Sequence, residues 1–415
     1  MCVQQLAGSG APHIMVTMLR IERLRNDIAE LSRLAATAQR RQLEAVQLAR
    51  RWWDELPDAI DLRTHLEPLL QESAGMAPSW SGGVPATIAP PGEPVSRPIT
   101  DLKGLIAIGV DGSQIFPDRH ALALYYLIQV GAVIFRYNGG APGVEVREWL
   151  HYKEEELFDE QDYLIGSEAL GQERMIKEME VLAELSATEY QGPDSPVLGL
   201  TDGPLLWPYV QRGRSTGEKL GTYLKALKSV QASGAIPVGY VDRPGGRPLL
   251  DMLWASRLAG EDLGEKWSEN PLQPLDDEIL MMHLLAPGEH TTWFTRPIPT
   301  NTRHAGAGQE IWFCYQRLDG PDQARGGHPT IARIEVPSWA VIGEAPLAPM
   351  HAMLLHQAEA LDGYPYVLAR AHEEALVTTL DKAALEQSIQ RELFGAGIWA
   401  QASDKARQKL LLGRR

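Results

Sequence analysis

From Leu102 onward the 415-residue chain alternates short apolar runs with amphipathic stretches, and that pattern predicts an α/β architecture. Residues 105–110, 121–130 and 132–137 read as three successive strands and 144–150 as a fourth, with Asn138-Gly139-Gly140 as turn material. Such an order describes an antiparallel meander. The period then changes, predicting a helix over 168–187, a strand over 196–201, a helix over 217–232 and a strand over 235–241. Further strands are expected at 310–318 and 331–336, and two helices at about 349–361 and 366–394. A meander followed by alternating helix and strand implies a mixed sheet with helices on its faces.

Ahead of this region, residues 18–56 carry Leu24, Ile28, Leu31 and Ala35 at spacings of three and four, which predicts a long helix. The stripe is too narrow for a core. It suits a partner helix or a self-association face with the arginines outside, or else a solvated helix lying on its own domain. A Pro/Gly/Ser-rich stretch follows from Ala77 to Pro98 and reads as a linker or a long surface loop. The expected organisation is an N-terminal helical region (1–76), a Pro-rich linker (77–100), an α/β domain (101–395) and a basic tail (396–415), with residues 1–14 a loosely ordered extension.

Composition narrows the class. Hydrophobic residues make up 44% and charged residues 22%, as in a soluble globular protein. Cys2 and Cys314 are the only cysteines, too few for a disulfide framework or a zinc-thiolate cluster, and they point to a reducing, cytoplasmic setting. No apolar run approaches a membrane span and no secretory signal precedes the first helix. The net charge of −15 argues against a protein coated in nucleic acid. The basic residues are nevertheless uneven, clustering between Arg20 and Arg51 and again at Arg212, Arg214, Lys219, Lys225 and Lys228. This second cluster reads either as phosphate contacts or as a solvated helix face.

Two apolar runs end in an acid followed by glycine: Val110-Asp111-Gly112-Ser113 and Leu200-Thr201-Asp202-Gly203. Each could be a simple Asp-Gly turn. At the ends of buried strands, however, both carboxylates would be held rigidly and could face one another across a sheet. Glu178 shares a helix face with Met175, Leu182 and Leu185, so it lies at the edge of a buried stripe, where an acid needs a cation or a pairing such as Arg174 one turn earlier. Glu180 aligns with Ile176, Ala183 and Glu184 and reads as more exposed. Three carboxylates from two strands and a helix could hold one or two Mg²⁺ or Mn²⁺ ions for phosphoryl displacement. His372 is either structural or a further ligand, and an imidazole in an oxygen site favours Mn²⁺. Asp276 and Asp277 open a helix and serve its N-terminus, while His283, His290 and His304 fall into no pattern. There is no Walker loop, no paired-histidine zinc motif and no serine-hydrolase elbow.

With these residues in hand, the chain resembles the NurA nuclease family. The resemblance is carried by Val110-Asp111-Gly112-Ser113, the helix from Arg174 to Glu178, Thr201-Asp202-Gly203-Pro204, Asp277 through Leu285-Ala286-Pro287-Gly288-Glu289, Arg333-Ile334-Glu335-Val336-Pro337, and Tyr364-Pro365 with Ala371-His372. They occur in family order over roughly residues 105–385. The resemblance implies a ribonuclease-H-like fold, a homodimer and a Mn²⁺-dependent deoxyribonuclease. Its expected activities are single-stranded endonuclease and 5′ to 3′ exonuclease action in DNA end resection, alongside a HerA-type hexameric translocase. It assigns metal binding and catalysis to Asp111, Glu178, Asp202 and His372, with Glu180 and Glu184 as alternatives for the third carboxylate. Where the family often carries a lysine after the fifth strand, Val241-Asp242-Arg243 stands here, leaving Asp242 and Arg243 between metal site and phosphate contact. Two other functions fit the same sequence: a non-catalytic docking subunit of a DNA translocase, and a ribonuclease-H-like hydrolase acting on RNA or hybrids.

Overall fold

A computed structural model describes residues 21–73, 82–96, 98, 100–159, 162–192, 195–209, 214–258, 266–318, 330–343, 347–361 and 363–397. Nine strands form one mixed sheet: β1 (Val84–Pro85), β2 (Ile106–Ile115), β3 (Tyr126–Arg136), β4 (Gly143–His151), β5 (Val197–Asp202), β6 (Ile236–Asp242), β7 (Phe294–Thr295), β8 (Ile311–Leu318) and β9 (Thr330–Pro337). Their spatial order is β1-β7-β8-β9-β6-β5-β2-β3-β4. An antiparallel meander, β2 to β4, is extended by β5 and β6 running parallel to β2, and then by antiparallel β9, β8, β7 and β1. The mixed sheet expected from the alternation of runs is therefore present.

The meander has three strands where the apolar runs suggested four. Residues 121–125 stay outside the ladder, and the runs on either side of Gly131 are one continuous strand, β3. Gly131 is not a turn but a seat: a Cβ there would lie 2.4 Å from the backbone nitrogen of Ala375 and 2.7 Å from the carbonyl of Ala371. The last expected helix also divides, into α9 (Tyr366–Ala375) and α10 (Thr379–Gly395). Leu376 closes the first and Thr378 caps the start of the second. Its hydroxyl accepts from Asp381 N at 3.2 Å while Asp381 Oδ2 accepts from Thr378 N at 2.9 Å, a reciprocal capping box.

Alternation along β2 decides which helices cover which face. Ile106, Ile108 and Val110 pack with α3 (Ser167–Glu189) and α4 (Arg214–Ala232), while Leu105 and Ala107 join Leu198, Leu200, α8 (Leu347–Ala360) and α9. A third apolar cluster lies under β7 to β9, where α1 (Arg25–Asp54) and α2 (Ala59–Ser73) meet α5 (Pro248–Ala255) and α6 (Asp277–Leu284).

The long N-terminal helix has two halves. Ala45, Val46, Ala49 and Trp53 are buried in that third cluster, so this part is a cover for its own domain, whereas Leu24, Ile28, Leu31 and Leu34 are exposed. Within the stretch read as a linker, Val84–Pro85 is the edge strand beside β7, and Arg63 grips it through Pro85 O at 2.6 Å and Thr87 O at 2.7 Å. Proline is tolerated there because an edge strand needs only one side of its ladder. Among the described residues no helix is long and apolar enough to cross a membrane. Residues 1–20 and 398–415 lie outside the described residues.

Candidate metal centre

The parallel pairing of β2 with β5 runs through Val110 opposite Thr201, so the next residue on each strand is an acid, Asp111 on one and Asp202 on the other. From the α3 side, Gly112 leaves room for Glu178: a Cβ on this glycine would sit 2.5 Å from Glu178 Oε1 and 2.7 Å from Arg174 Cγ. The opposite face is approached just as closely. At Gly109 an added Cβ would meet Val367 O at 2.6 Å, and together with Gly131 this lets the α9 backbone lie directly on the sheet. Ser113 Oγ donates to Ala375 O, which fastens the end of that helix. The result is His372 Nδ1 at 2.6 Å from Asp111 Oδ2, a hydrogen bond, while Asp111 Oδ1 accepts from Gly112 N at 2.8 Å.

Charge is handled differently at each position. Glu178 is 7% exposed, and burial pushes its carboxyl up to about 8, with Arg174 opposing the shift and Asp111 and Asp202 adding to it. The pairing with Arg174 read from the sequence exists, Nε to Oε1 at 3.4 Å, but it is no hydrogen bond, since neither Arg174 Nε nor Glu178 Oε1 has a hydrogen-bond partner. The guanidinium is aimed elsewhere, its Nη1 donating to Gly112 O at 2.8 Å. Asp202 ends its strand with its side chain reaching solvent, yet desolvation raises its carboxyl; the Tyr364 hydroxyl hydrogen-bonds to it, opposing the rise, and Asp111 adds to it. Asp242, at the end of β6, is likewise raised by desolvation. Asp202 and Asp242 thus stand at the carboxyl ends of β5 and β6, where open α/β sheets place ligand crevices. Asp111 does not end its strand as its apolar run suggested: β2 leaves β5 after Val110 but continues to Ile115 beside β3, because that neighbour keeps its ladder going.

Three carboxylates and an imidazole make an oxygen-rich donor set suited to a hard or borderline divalent cation. A buried carboxylate oxygen without a donor, at Glu178, is what such a site requires of a ligand. The groups surround a cleft rather than a point. Among the described residues none of these acids belongs to a set of three whose ligating atoms all lie within 4.8 Å of one another, as expected for like charges. Arg174, Met175, Pro204, Pro208 and Tyr209 line the wall of this cleft beside Glu178 and Asp202.

Of the three glutamates considered for the third carboxylate, only Glu178 faces Asp111. Glu180 pairs with Lys177 Nζ at 2.8 Å and Glu184 with Arg147, both beside β4. Of the basic residues, Lys225 and Lys228 are exposed on α4, while Lys219 is bound to Ala169 O at 3.1 Å and braces α4 against α3. Arg243 is exposed, with a left-handed φ of 42° and Nε 3.9 Å from Asp242. Arg212 and the side chain of Arg214 lie outside the described residues. Asp276 caps α6 as expected, accepting from Ile279 N at 2.9 Å. Asp277 instead caps another helix, accepting from Leu249 N and Leu250 N at 2.8 and 3.0 Å and from the Tyr315 hydroxyl at 2.8 Å. His304, on α7 (Pro299–Gly306), is buried and its imidazole is lowered to about 4 by desolvation, which keeps it neutral inside the core. Two residues that pattern did not single out complete the cleft, Tyr364 and Tyr209. Only the first carried a signal, as the tyrosine before the proline that opens the His372 helix.

The sequence signature of the NurA domain matches residues 105–377. No curated protein matches the chain in sequence. Among solved structures, the chain is similar to the NurA nuclease from Sulfolobus solfataricus, at 12% identity over 85% of this chain and 99% of the other, with a TM-score of 0.45. A structure of NurA with manganese aligns at 11% identity over 71% of this chain and 91% of the other, with a TM-score of 0.36. One of NurA bound to dAMP and manganese aligns at 12% identity over 76% and 92%, with a TM-score of 0.34.

Proposed function

The chain belongs to the NurA family, and from that premise we propose that it is a Mn²⁺-dependent deoxyribonuclease, with Asp111, Glu178, Asp202 and His372 as its metal-binding and catalytic set. The observation that carries this reading is the meeting of Asp111 and His372 at 2.6 Å beside a buried Glu178 whose Oε1 has no hydrogen-bond partner. One or two bound ions, Mn²⁺ or Mg²⁺, would supply an activated water and charge stabilisation at the leaving oxygen. The chain's own groups do the rest. Tyr364 orients the Asp202 carboxylate, the Asp111 carboxylate accepts from the His372 imidazole, and Glu178 holds a proton that it would give up as a metal ligand. Lys225, Lys228 and Arg243 are exposed and would track the phosphate backbone, together with Arg212, Arg214 and Lys219.

The finer reading follows the family: single-stranded endonuclease and 5′ to 3′ exonuclease activity in cytoplasmic end resection, as a homodimer working with a HerA-type translocase. The exposed Ile28, Leu31 and Leu34 on the outer half of α1, with Leu24 at its N-cap, support an association face. The test is digestion of end-labelled single-stranded DNA, duplex DNA and RNA with and without Mn²⁺. Cleavage of DNA only with the ion supports the reading. Cleavage of RNA or hybrids alone moves the substrate, and no cleavage of any strand alongside intact translocase binding makes the chain a docking subunit.

A further inference from the structure

The segment that follows Asp202 is held by a set of buried hydrogen bonds, none of them to a ligating side chain. It leaves β5 at Gly203, and its Pro204, Pro208 and Tyr209 line the cleft beside Glu178 and Asp202. Each anchor comes from a different element. Gly203 N donates to Tyr240 O of β6 at 2.8 Å. The Tyr223 hydroxyl of α4 donates to Leu205 O at 2.8 Å, and Leu206 N donates to Glu335 Oε2 of β9 at 3.0 Å. Trp207 N donates to His304 Nε2 of α7 at 3.4 Å. The imidazole is set to receive it: His304 Nδ1 is 3.2 Å from Gln309 O, and a carbonyl oxygen only accepts, so the proton sits on Nδ1 and Nε2 keeps its lone pair. Strand β6 approaches closely from below, where a Cβ at Gly239 would lie 2.8 Å from Leu205 N and 2.9 Å from Gly203 O.

Glu335 is buried, and a buried carboxylate is tolerated only when paired and hydrogen-bonded. Both of its oxygens are engaged. Oε1 accepts from Arg333 Nε and lies against Nη2, each at 2.9 Å, while Oε2 takes Leu206 N. Arg333 also hydrogen-bonds to the Tyr315 hydroxyl, which donates to Asp277 Oδ2 at 2.8 Å, and Asp277 accepts from Leu249 N and Leu250 N at the start of α5. One line of buried polar groups therefore ties the segment after Asp202 to the helix that follows Asp242 and Arg243. Apolar replacement of a buried ion pair often leaves stability unchanged or raises it, so stability alone does not account for a carboxylate here. What the set does supply is a fixed path for the backbone on which Asp202 and the cleft wall are mounted.

We propose that Glu335, Tyr223 and His304 are positioning residues of the metal centre, a role that rests on Asp202 being a metal ligand. They touch neither the ion nor the substrate. Through the backbone of 203–208 they fix where the Asp202 carboxylate and the wall from Pro204 to Tyr209 stand before anything binds. Position 335 needs a carboxylate, because an amide offers one acceptor oxygen to two donors and turns its NH₂ toward either Leu206 N or Arg333.

The test compares full-length Glu335→Gln and Tyr223→Phe with the wild type and with Leu62→Ala, which opens a cavity under α2 in another apolar cluster. Backbone hydrogen exchange of the metal-free protein and Mn²⁺ titration calorimetry are the readouts, and neither needs turnover. In both Glu335→Gln and Tyr223→Phe, residues 203–209 should exchange at least about 10-fold faster, as expected for one lost buried hydrogen bond. The Mn²⁺ dissociation constant should rise about 10-fold, the lower end of what loss of an outer partner costs a metal site. Leu62→Ala should lower Tm and move neither readout. Unchanged Mn²⁺ affinity in Tyr223→Phe overturns the proposal whether or not exchange quickens, and so does an equal shift in Leu62→Ala. Tyr223→Phe removes one hydroxyl and keeps the ring, so it decides even where Glu335→Gln fails to fold. A wild type that binds Mn²⁺ but cuts no nucleic acid sinks the nuclease reading alone, and exchange and affinity still decide the positioning of Asp202.

Discussion

Two groups of polar side chains sit on one sheet and are built on opposite chemistry. Around Asp111 they are three carboxylates and an imidazole beside a cleft, with Asp111 and Glu178 buried and Asp202 and His372 reaching solvent. Around Cys314 they are a thiol and two imidazoles, all buried. The first group repels itself unless a cation joins it. The second is electrically neutral and closed, with its His290 and His351 imidazoles stacked and held through their Nδ1 atoms. The contrast teaches that access to water, not position along a strand, selects chemistry. Asp111 and Cys314 both lie inside their strands, but Asp111 adjoins His372 and Asp202, which reach solvent, whereas the closed core around Cys314 tolerates only groups that are neutral or become paired.

The largest test of this division is at the acids. Asp111→Asn or Asp202→Asn should lower Mn²⁺-dependent cleavage by at least about 100-fold, because each would remove a ligand and not merely an outer partner. Circular dichroism should show an unchanged fold. Near-normal cleavage of single-stranded DNA by either variant would move the metal centre elsewhere.

His372→Ala should act less severely, raising the Mn²⁺ concentration needed for half-maximal rate by about 10- to 100-fold, with recovery at high metal. The imidazole is more than half exposed, so stability should barely change. A large fall in Tm with an unaltered metal requirement would assign His372 to structure.

Glu178 sharpens the comparison through pH. Its carboxyl is raised from 4.5 in the unfolded chain to about 8 in the folded one, so the folded state holds the proton more tightly. The stability this gives is complete below 4.5 and is lost as pH rises through 8, costing about 1.4 kcal/mol per pH unit within that window. Urea unfolding of metal-free protein should therefore weaken with rising pH, and Glu178→Gln should flatten that dependence while abolishing cleavage. Mn²⁺ affinity of the wild type should rise over the same range. An identical pH profile in the variant would remove Glu178 from this account.

The smallest effect belongs to the exposed lysines. Lys225→Ala and Lys228→Ala should each lower the steepness of the logarithmic salt dependence of single-stranded DNA binding by about 0.7, measured by fluorescence anisotropy. No change would make them ordinary solvated residues.

Much of the acidic site was legible because its residues announce themselves locally. An apolar run that stops at Asp-Gly marks a carboxylate on a buried strand, although only Asp202 is also an exit, since β2 runs on past Asp111 to Ile115, and one acid on an apolar helix face states a need for a partner. The helix and strand alternation likewise follows from period alone. Other features were not local. Gly131 looked like a break between strands because nothing in its neighbours reveals that α9 lies on it. Asp277 looked like a cap for its own helix, yet it caps α5, which precedes it in the chain.

The sequence by itself determined the alternating α/β pattern, the acids that close two apolar runs and the glycines that let chain pass close to them, since each follows from side-chain chemistry within a few residues. The tertiary structure alone decided that Glu178 and not Glu180 or Glu184 faces Asp111, that α1 is half cover and half exposed stripe, and that His290, Cys314 and His351 meet. Those outcomes depend on how elements far apart in the chain pack against one sheet, and packing is set by the mutual fit of surfaces that no local period records.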